Sequence, residues 1–307
     1  MNTSMHNMDK LFEAVAERGH VCVGLDTAPE YVPEKERRSY PAETVLAYNK
    51  AIVDATIDIA ACYKLQIAFY EELGLAGLET YSRTLKYLRQ RGALAIADIK
   101  RGDIADTASR YAKAHFEGDF EADFVTLNPY LGMDSIEPWL KWVDKKGKGA
   151  FVLMRTSNKG RHDFECLIIK EESPSPRRLF DVVGDKLSEF AASRLGAHGY
   201  GAFGAVVGAD PQSEEERKEA AAIRAGYPNL FFLIPGYGAQ GGAASDAALL
   251  LREGNGGVVN ASRSILKAWQ SSHEASGREV DNAMAAQAAR VAAIEMRDSI
   301  RKARENE

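Results

Sequence analysis

Eight short runs of apolar and small residues recur along the chain, and they restrict its fold more than anything else in the sequence. They are VCVGL from Val21, AACYKLQ from Ala60, ALAI from Ala93, DFVTL from Asp123, AFVLM from Ala150, AFGAVV from Ala202, LFFLI from Leu230 and GGVVN from Gly256. None alternates cleanly between polar and apolar residues, so the pattern is that of strands covered on both faces in a parallel sheet. Helical periodicity fills the intervals. Pro41 to Ala60 carries Val45, Tyr48, Ile52, Ala55 and Ile59 at steps of three and four, with Pro41 suited to a first turn. Leu78, Tyr81, Leu85 and Leu88 repeat the pattern, and Gly92 supplies a stop. Between Gln212 and Gly226 acids come early and bases late, as the helix dipole favours. A long closing helix is predicted from Asn282, with Asp281 as its N-cap.

Eight strands alternating with helices predict an α/β protein of the (β/α)8 TIM-barrel type, whose usual ~250 residues leave room here for insertions. A doubly wound open sheet is the second possibility, because periodicity alone does not close a barrel. We read residues 1–307 as one barrel domain ending in the long helix. The polar stretch 155–178, rich in Pro and Ser near its end, is the expected loop after the fifth strand.

Charge and cysteine usage narrow the function. A formal net charge of −5 argues against a general nucleic-acid surface, which needs a basic face, but leaves room for a local anion pocket. Cys22, Cys62 and Cys166 are odd in number and show no metal or disulfide spacing, which suits a reducing compartment. The first ten residues lack the cationic and apolar regions of a signal peptide, and no apolar run approaches the ~18–20 residues of a membrane span. The expectation is a cytoplasmic protein with neither nucleic-acid nor membrane partners.

The stretch ADIKRGDIADT, Ala97 to Thr107, puts lysine and aspartate directly after an apolar run. If ALAIAD is the third strand, Asp98 and Lys100 lie at its carboxyl end, two residues apart and on one side. In a barrel that end gathers catalytic groups. Gly102 permits a turn, and Asp103 then falls near a helix start. An arbitrary D-x-K-x-x-D is more often a surface cluster at a loop or a salt-bridged helix cap. Two further residues weigh against that: Asp26 follows the first strand, and Lys64 stands inside the second among apolar neighbours. A lysine in a buried strand needs a partner. On neighbouring strands, Asp26, Lys64, Asp98 and Lys100 would converge and keep both lysines protonated.

After the seventh run comes PGYGAQGG, in which Gly236, Gly238 and Gly241 satisfy G-x-G-x-x-G. A dinucleotide site is one reading, with Arg263 meeting a 2′-phosphate in place of an acidic ribose ligand. A flexible glycine loop is another. A barrel favours a third, since loops after strands seven and eight commonly bind phosphate. Gln240 would donate through its amide, Arg263 through its fork, and a helix start near Ala261 through backbone N–H groups.

Together DIKRGDIADT, YKLQIAFYE, VTLNPYLG, RTSN, VVGAD, PGYGAQGG and VNASRS resemble orotidine 5′-monophosphate decarboxylases of the longer, mostly bacterial subgroup. The likeness runs in order from Val21 to Ile265. It implies a cofactor-free, metal-free barrel enzyme that converts orotidine monophosphate to UMP and CO2 in pyrimidine biosynthesis. Carried over, Lys100 protonates C6 of the pyrimidine, Asp98 lies beside the departing carboxylate, and Lys64 holds the network and reaches the ribose. Asp26 binds ribose hydroxyls. Asp103, Ile104 and Thr107 reach the partner subunit's active site, implying a homodimer. Ser157 meets the pyrimidine amide, and Gln240 and Arg263 grip the phosphate. Asn128 stands where shorter relatives have histidine.

Other functions would make different demands on these residues. A sugar-phosphate decarboxylase or aldolase-like relative using Mg2+ would carry a carboxylate at Lys64. A Schiff-base aldolase would need Lys64 or Lys100 neutral, which flanking aspartates oppose. An inactive nucleotide sensor would not need the charge array. The six histidines, Trp139, Trp142 and Trp269 read as structural, and Glu214 to Glu216 as a solvated first helical turn.

Overall fold

The structure is a computed structural model that describes residues 6–169, 177–238, 243–271 and 279–305. Its eight main strands are β1 (Val21–Gly24), β2 (Cys62–Gln66), β3 (Ala95–Arg101), β4 (Phe124–Leu127), β5 (Gly149–Arg155), β6 (Phe203–Val207), β7 (Phe232–Ile234) and β8 (Gly257–Ala261). All neighbours are parallel, and β8 pairs back onto β1 with Val21 opposite Val259, so the sheet closes. The doubly wound alternative is thereby excluded. Each strand falls within or beside an expected run, with the largest displacement at β3, which starts at Ala95 and continues through the charged residues to Arg101.

The helices include α1 (Asn7–Arg18), α2 (Pro41–Thr56), α3 (Gly74–Gln90), α4 (Ala105–Glu117), α5 (Leu140–Lys146), α6 (Leu179–Ala192), α7 (Glu214–Gly226) and α8 (Asn282–Glu305). Pro41 opens α2, where its missing N–H costs nothing. Asp281 caps α8 by accepting from Met284 N at 2.8 Å. Ala285, Ala286, Ala289 and Ala293 form the buried stripe of α8, and their small side chains let it lie close against α2.

The interior explains where polar residues can stand. Cys22, Cys62, Ile96, Phe124, Phe151, Phe231 and Val258 form an apolar plug inside the barrel, sealed below by Met8, Leu11 and Val15 of α1. Two residues further along the strands, the inward positions turn polar at Lys64, Asp98 and Thr126. Period-2 alternation makes this layer the floor of a mouth at the carboxyl ends. Helix α1 had no counterpart in the sequence reading, although Arg18 in its last turn and Gly19, at a positive φ of 91°, mark its end.

Candidate active site

The register of β1, β2 and β3 sets the charged residues side by side: Gly24 pairs with Lys64, and Gln66 with Asp98. Lys64 Nζ lies 3.1 Å from Asp26 Oδ1 and 3.0 Å from Asp98 Oδ2. Lys100 Nζ reaches Asp98 Oδ1 at 2.6 Å. All four expected residues meet in one network. Asp26 also accepts from Gln66 N at 3.0 Å and from Ser262 Oγ at 2.7 Å. This last contact requires glycine at position 24, where a Cβ would fall 1.9 Å from Ser262 Oγ.

Electrostatics keep Lys64 and Asp98 ionised. Burial disfavours the charge on Lys64, but Asp26 and Asp98 more than offset it and hold the ammonium above the ordinary lysine range. Burial likewise opposes ionisation of Asp98, yet Lys64 and Lys100 hold its carboxyl well below the usual carboxylate range. Lys64 is 6% exposed at its side chain and Lys100 45%, so Lys64 is a fixed internal charge and Lys100 faces the cavity.

The third strand is not regular where Lys100 leaves it. Its pairing with β4 shifts between Ala97 and Arg101, and Lys100 adopts a left-handed φ of 44°. For a non-glycine residue such a conformation costs on the order of 1 kcal/mol. Thr126 compensates: its Oγ1 accepts from Ile99 N at 3.0 Å and Lys100 N at 2.9 Å, and donates to Asp98 Oδ1 at 2.8 Å. Thr126 was not singled out from sequence, although its signal exists: a polar residue at an inward position of a buried strand.

The network floors a cavity of about 460 Å³ whose walls include Thr156, Ser157, Glu165, Leu233 and Asn260. A smaller hollow of about 150 Å³, sharing Asp26, Pro235 and Asn260, extends toward Gly236, Ser262 and Arg263. Arg263 opens a four-residue helix, Arg263–Leu266, as the start expected near Ala261. Gln240, Gly241 and Gly242 lie outside the described residues, as do 170–176 of the long loop. The glycine motif follows the seventh strand of a closed barrel and leads to a helix of only Ala244–Ala248, so it lacks the long helix of a dinucleotide fold.

Several expected residues stand apart from the cavity. Asp103, Ile104 and Thr107 lie where β3 leads into α4, line neither hollow, and Ile104 is 50% exposed. Asp103 Oδ1 accepts from Ile104 N at 2.9 Å. Asn128 also lines neither hollow, and its Oδ1 accepts from Tyr130 N at 3.0 Å, a local turn contact. One expectation is corrected: the run Glu214 to Glu216 is not wholly solvated. Glu216 turns inward to the buried guanidiniums of Arg155, at 3.5 Å, and Arg161, at 2.9 Å, two charges that need countering.

Fold and site define a class: (β/α)8-barrel proteins with a lysine–carboxylate network at the mouth of the first three strands and an arginine subsite beside the last two. A family model described as Orotidine 5′-phosphate decarboxylase / HUMPS family matches residues 19–277. The chain belongs to this family. An orotidine 5′-phosphate decarboxylase of Clostridium perfringens is 55% identical over 297 residues, spanning 96% of this chain and 98% of the relative. One of Clostridium acetobutylicum is 50% identical, spanning 96% and 99%. The structure of Leishmania donovani OMP decarboxylase superposes with a TM-score of 0.75 at 30% identity, covering 98% of this chain and 99% of that one.

Proposed function

We propose that this chain is a carboxy-lyase that converts orotidine 5′-phosphate to UMP and CO2, with Lys100 protonating C6 of the pyrimidine. The observation that carries this reading is the Lys64 ammonium fixed between Asp26 and Asp98, with Lys100 on the far side of Asp98 and facing the cavity. Loss of CO2 leaves an electron pair at C6 with no conjugated sink, so the charge must be met electrostatically. The ammonium of Lys100 meets it and then supplies the proton. Asp98, held ionised by the two lysines, lies where the substrate carboxylate would depart, and its repulsion favours release.

The remaining roles follow the layout. The hollow at Arg263 suits the phosphate, Asp26 the ribose, and Ser157 the pyrimidine amide. Lys64 stands where a Mg2+-using sugar-phosphate relative would carry a carboxylate, which disfavours that reading. Asp103, Ile104 and Thr107 serve the site of a second subunit, which makes the working form a homodimer. Incubating the protein with orotidine monophosphate in EDTA and weighing the product by mass spectrometry tests the reaction. UMP formation supports it. No UMP from orotidine monophosphate, with CO2 released from a keto-acid sugar phosphate only when Mg2+ is present, would point to the sugar-phosphate type instead.

A further inference from the structure

One wall of the catalytic cavity comes from outside the regular barrel. Glu165, in the long loop after β5, lines it beside Thr156, Ser157 and Asn158. Its carboxylate holds the chain just past β5 at two points: Thr156 N donates to Oε2 at 2.8 Å, and Thr156 Oγ1 lies 2.7 Å from Oε1. That hydroxyl also lies 2.6 Å from Asn158 Oδ1. A hydroxyl carries one proton, and an ionised carboxylate can only accept, so the proton points to Glu165. Asn158 then fits with its amide turned, its NH2 donating to Oγ1.

The loop that presents Glu165 is itself anchored. Arg161, which is buried, pairs with Asp210 at 3.2 Å and Glu216 at 2.9 Å. Cys166 N donates to Arg161 O at 3.2 Å, and Phe180 N to Glu165 O at 3.0 Å. Ile168–Ile169 pairs antiparallel with Arg177–Arg178. On the opposite side, Ser157 packs against Gly208, where a Cβ would stand 2.9 Å from its Cα and Cβ. The Thr156–Ser157 segment is therefore clamped between the β6 side of the barrel and the Glu165 carboxylate, whose loop is anchored by the Arg161 ion pairs.

We propose that Glu165 is a positioning residue for the base-binding wall: its double grip on Thr156 fixes Ser157 so that its hydroxyl and backbone meet the pyrimidine. This gives the long loop a task in the reaction and rests on the decarboxylase reading above. It also predicts which ligands will feel a change at Glu165. A ligand with a pyrimidine uses the wall, whereas ribose 5-phosphate uses only the Asp26 and Arg263 side of the site.

Calorimetric titration of UMP and of ribose 5-phosphate into the wild type, Glu165→Ala and Glu165→Gln tests the proposal, with thermal unfolding run alongside. Glu165→Ala should bind UMP at least about tenfold more weakly, because two charge-assisted bonds are lost, while ribose 5-phosphate stays within about twofold. Glu165→Gln should stay within about threefold of wild type for UMP, since its amide can accept from Thr156 N and donate to Oγ1. Thr156→Val, which keeps Glu165 in place, should weaken UMP selectively and carries the test if the alanine variant does not fold. Equal weakening of both ligands, or unchanged UMP affinity, would overturn the positioning role. A wild type that neither binds UMP nor turns over orotidine monophosphate would instead sink the underlying reading.

Discussion

Replacing Lys64 with methionine keeps most of the aliphatic stem and removes the ammonium from between two carboxylates. Its Nζ sits 3.1 Å from Asp26 and 3.0 Å from Asp98, and the three side chains are 6%, 16% and 8% exposed, so solvent screens the contacts little. Removing one partner of a buried ion pair costs ~3–5 kcal/mol, chiefly because the other charge is left uncompensated. The low end applies here. Asp98 keeps Lys100 and Thr126, and Asp26 keeps Gln66 N and Ser262 Oγ. The expected loss is therefore ~3 kcal/mol near neutral pH.

The pH dependence supplies a second signature of Lys64→Met. In the wild type the Asp98 carboxyl is depressed, so its stabilisation is fully present above the unfolded carboxyl value near ~3.9 and is lost only as pH falls below it. In the variant burial remains while a counter-charge is gone, so the Asp98 carboxyl rises and the folded state can shed the charge by taking up a proton. The gap between the two proteins should narrow as pH falls from neutral to mildly acidic. Other titrating groups act on both proteins alike and cancel in the difference. Urea unfolding followed by tryptophan fluorescence at both pH values measures it. A gap below ~1 kcal/mol, the range of an exposed pair, or one that widens toward acid, would refute the argument.

Two further predictions concern Arg263 and the buried histidines. Arg263→Ala should lower kcat/KM for orotidine monophosphate by at least tenfold, about 1.4 kcal/mol, and steady-state kinetics showing a smaller change would remove it as the phosphate anchor. Burial pushes the His20 and His115 imidazoles down to about 4, so both are neutral in the fold and protonate more readily when unfolded. Stability then rises with pH between that value and the unfolded ~6.5 and falls by about 2 kcal/mol for each histidine from pH 7 to pH 5. His115→Phe, a ring that can keep the stack on Phe120, should remove about half of that loss in urea unfolding; an unchanged pH dependence would contradict it.

Much of the barrel was legible because buried parallel strands leave short apolar runs, and because Lys64 inside such a run demands a partner. Asp26 and Asp98 stand at strand ends, where register brings them to Lys64, and Lys100 joins the network through Asp98. What escaped depends on contacts distant in sequence or on local backbone irregularity. The left-handed turn at Lys100 is fixed by Thr126, 26 residues away, and no propensity at Lys100 itself announces it. Glu216 looked solvated because Arg161, its partner at a separation of 55 residues, sits in a loop whose path no pattern reveals. Glu165 was hidden for the same reason: one acid in a polar stretch carries no mark of the wall it supports. Asn128, by contrast, drew attention through its place in a motif, and its side chain serves a turn.

In the proposed reaction the cavity-facing ammonium of Lys100 delivers the proton to C6. Its most direct test is single-turnover conversion of orotidine monophosphate by Lys100→Ala in EDTA, with circular dichroism showing the fold intact. With the ammonium gone, UMP formation should all but disappear. A variant that still makes UMP at close to the wild-type rate would contradict it.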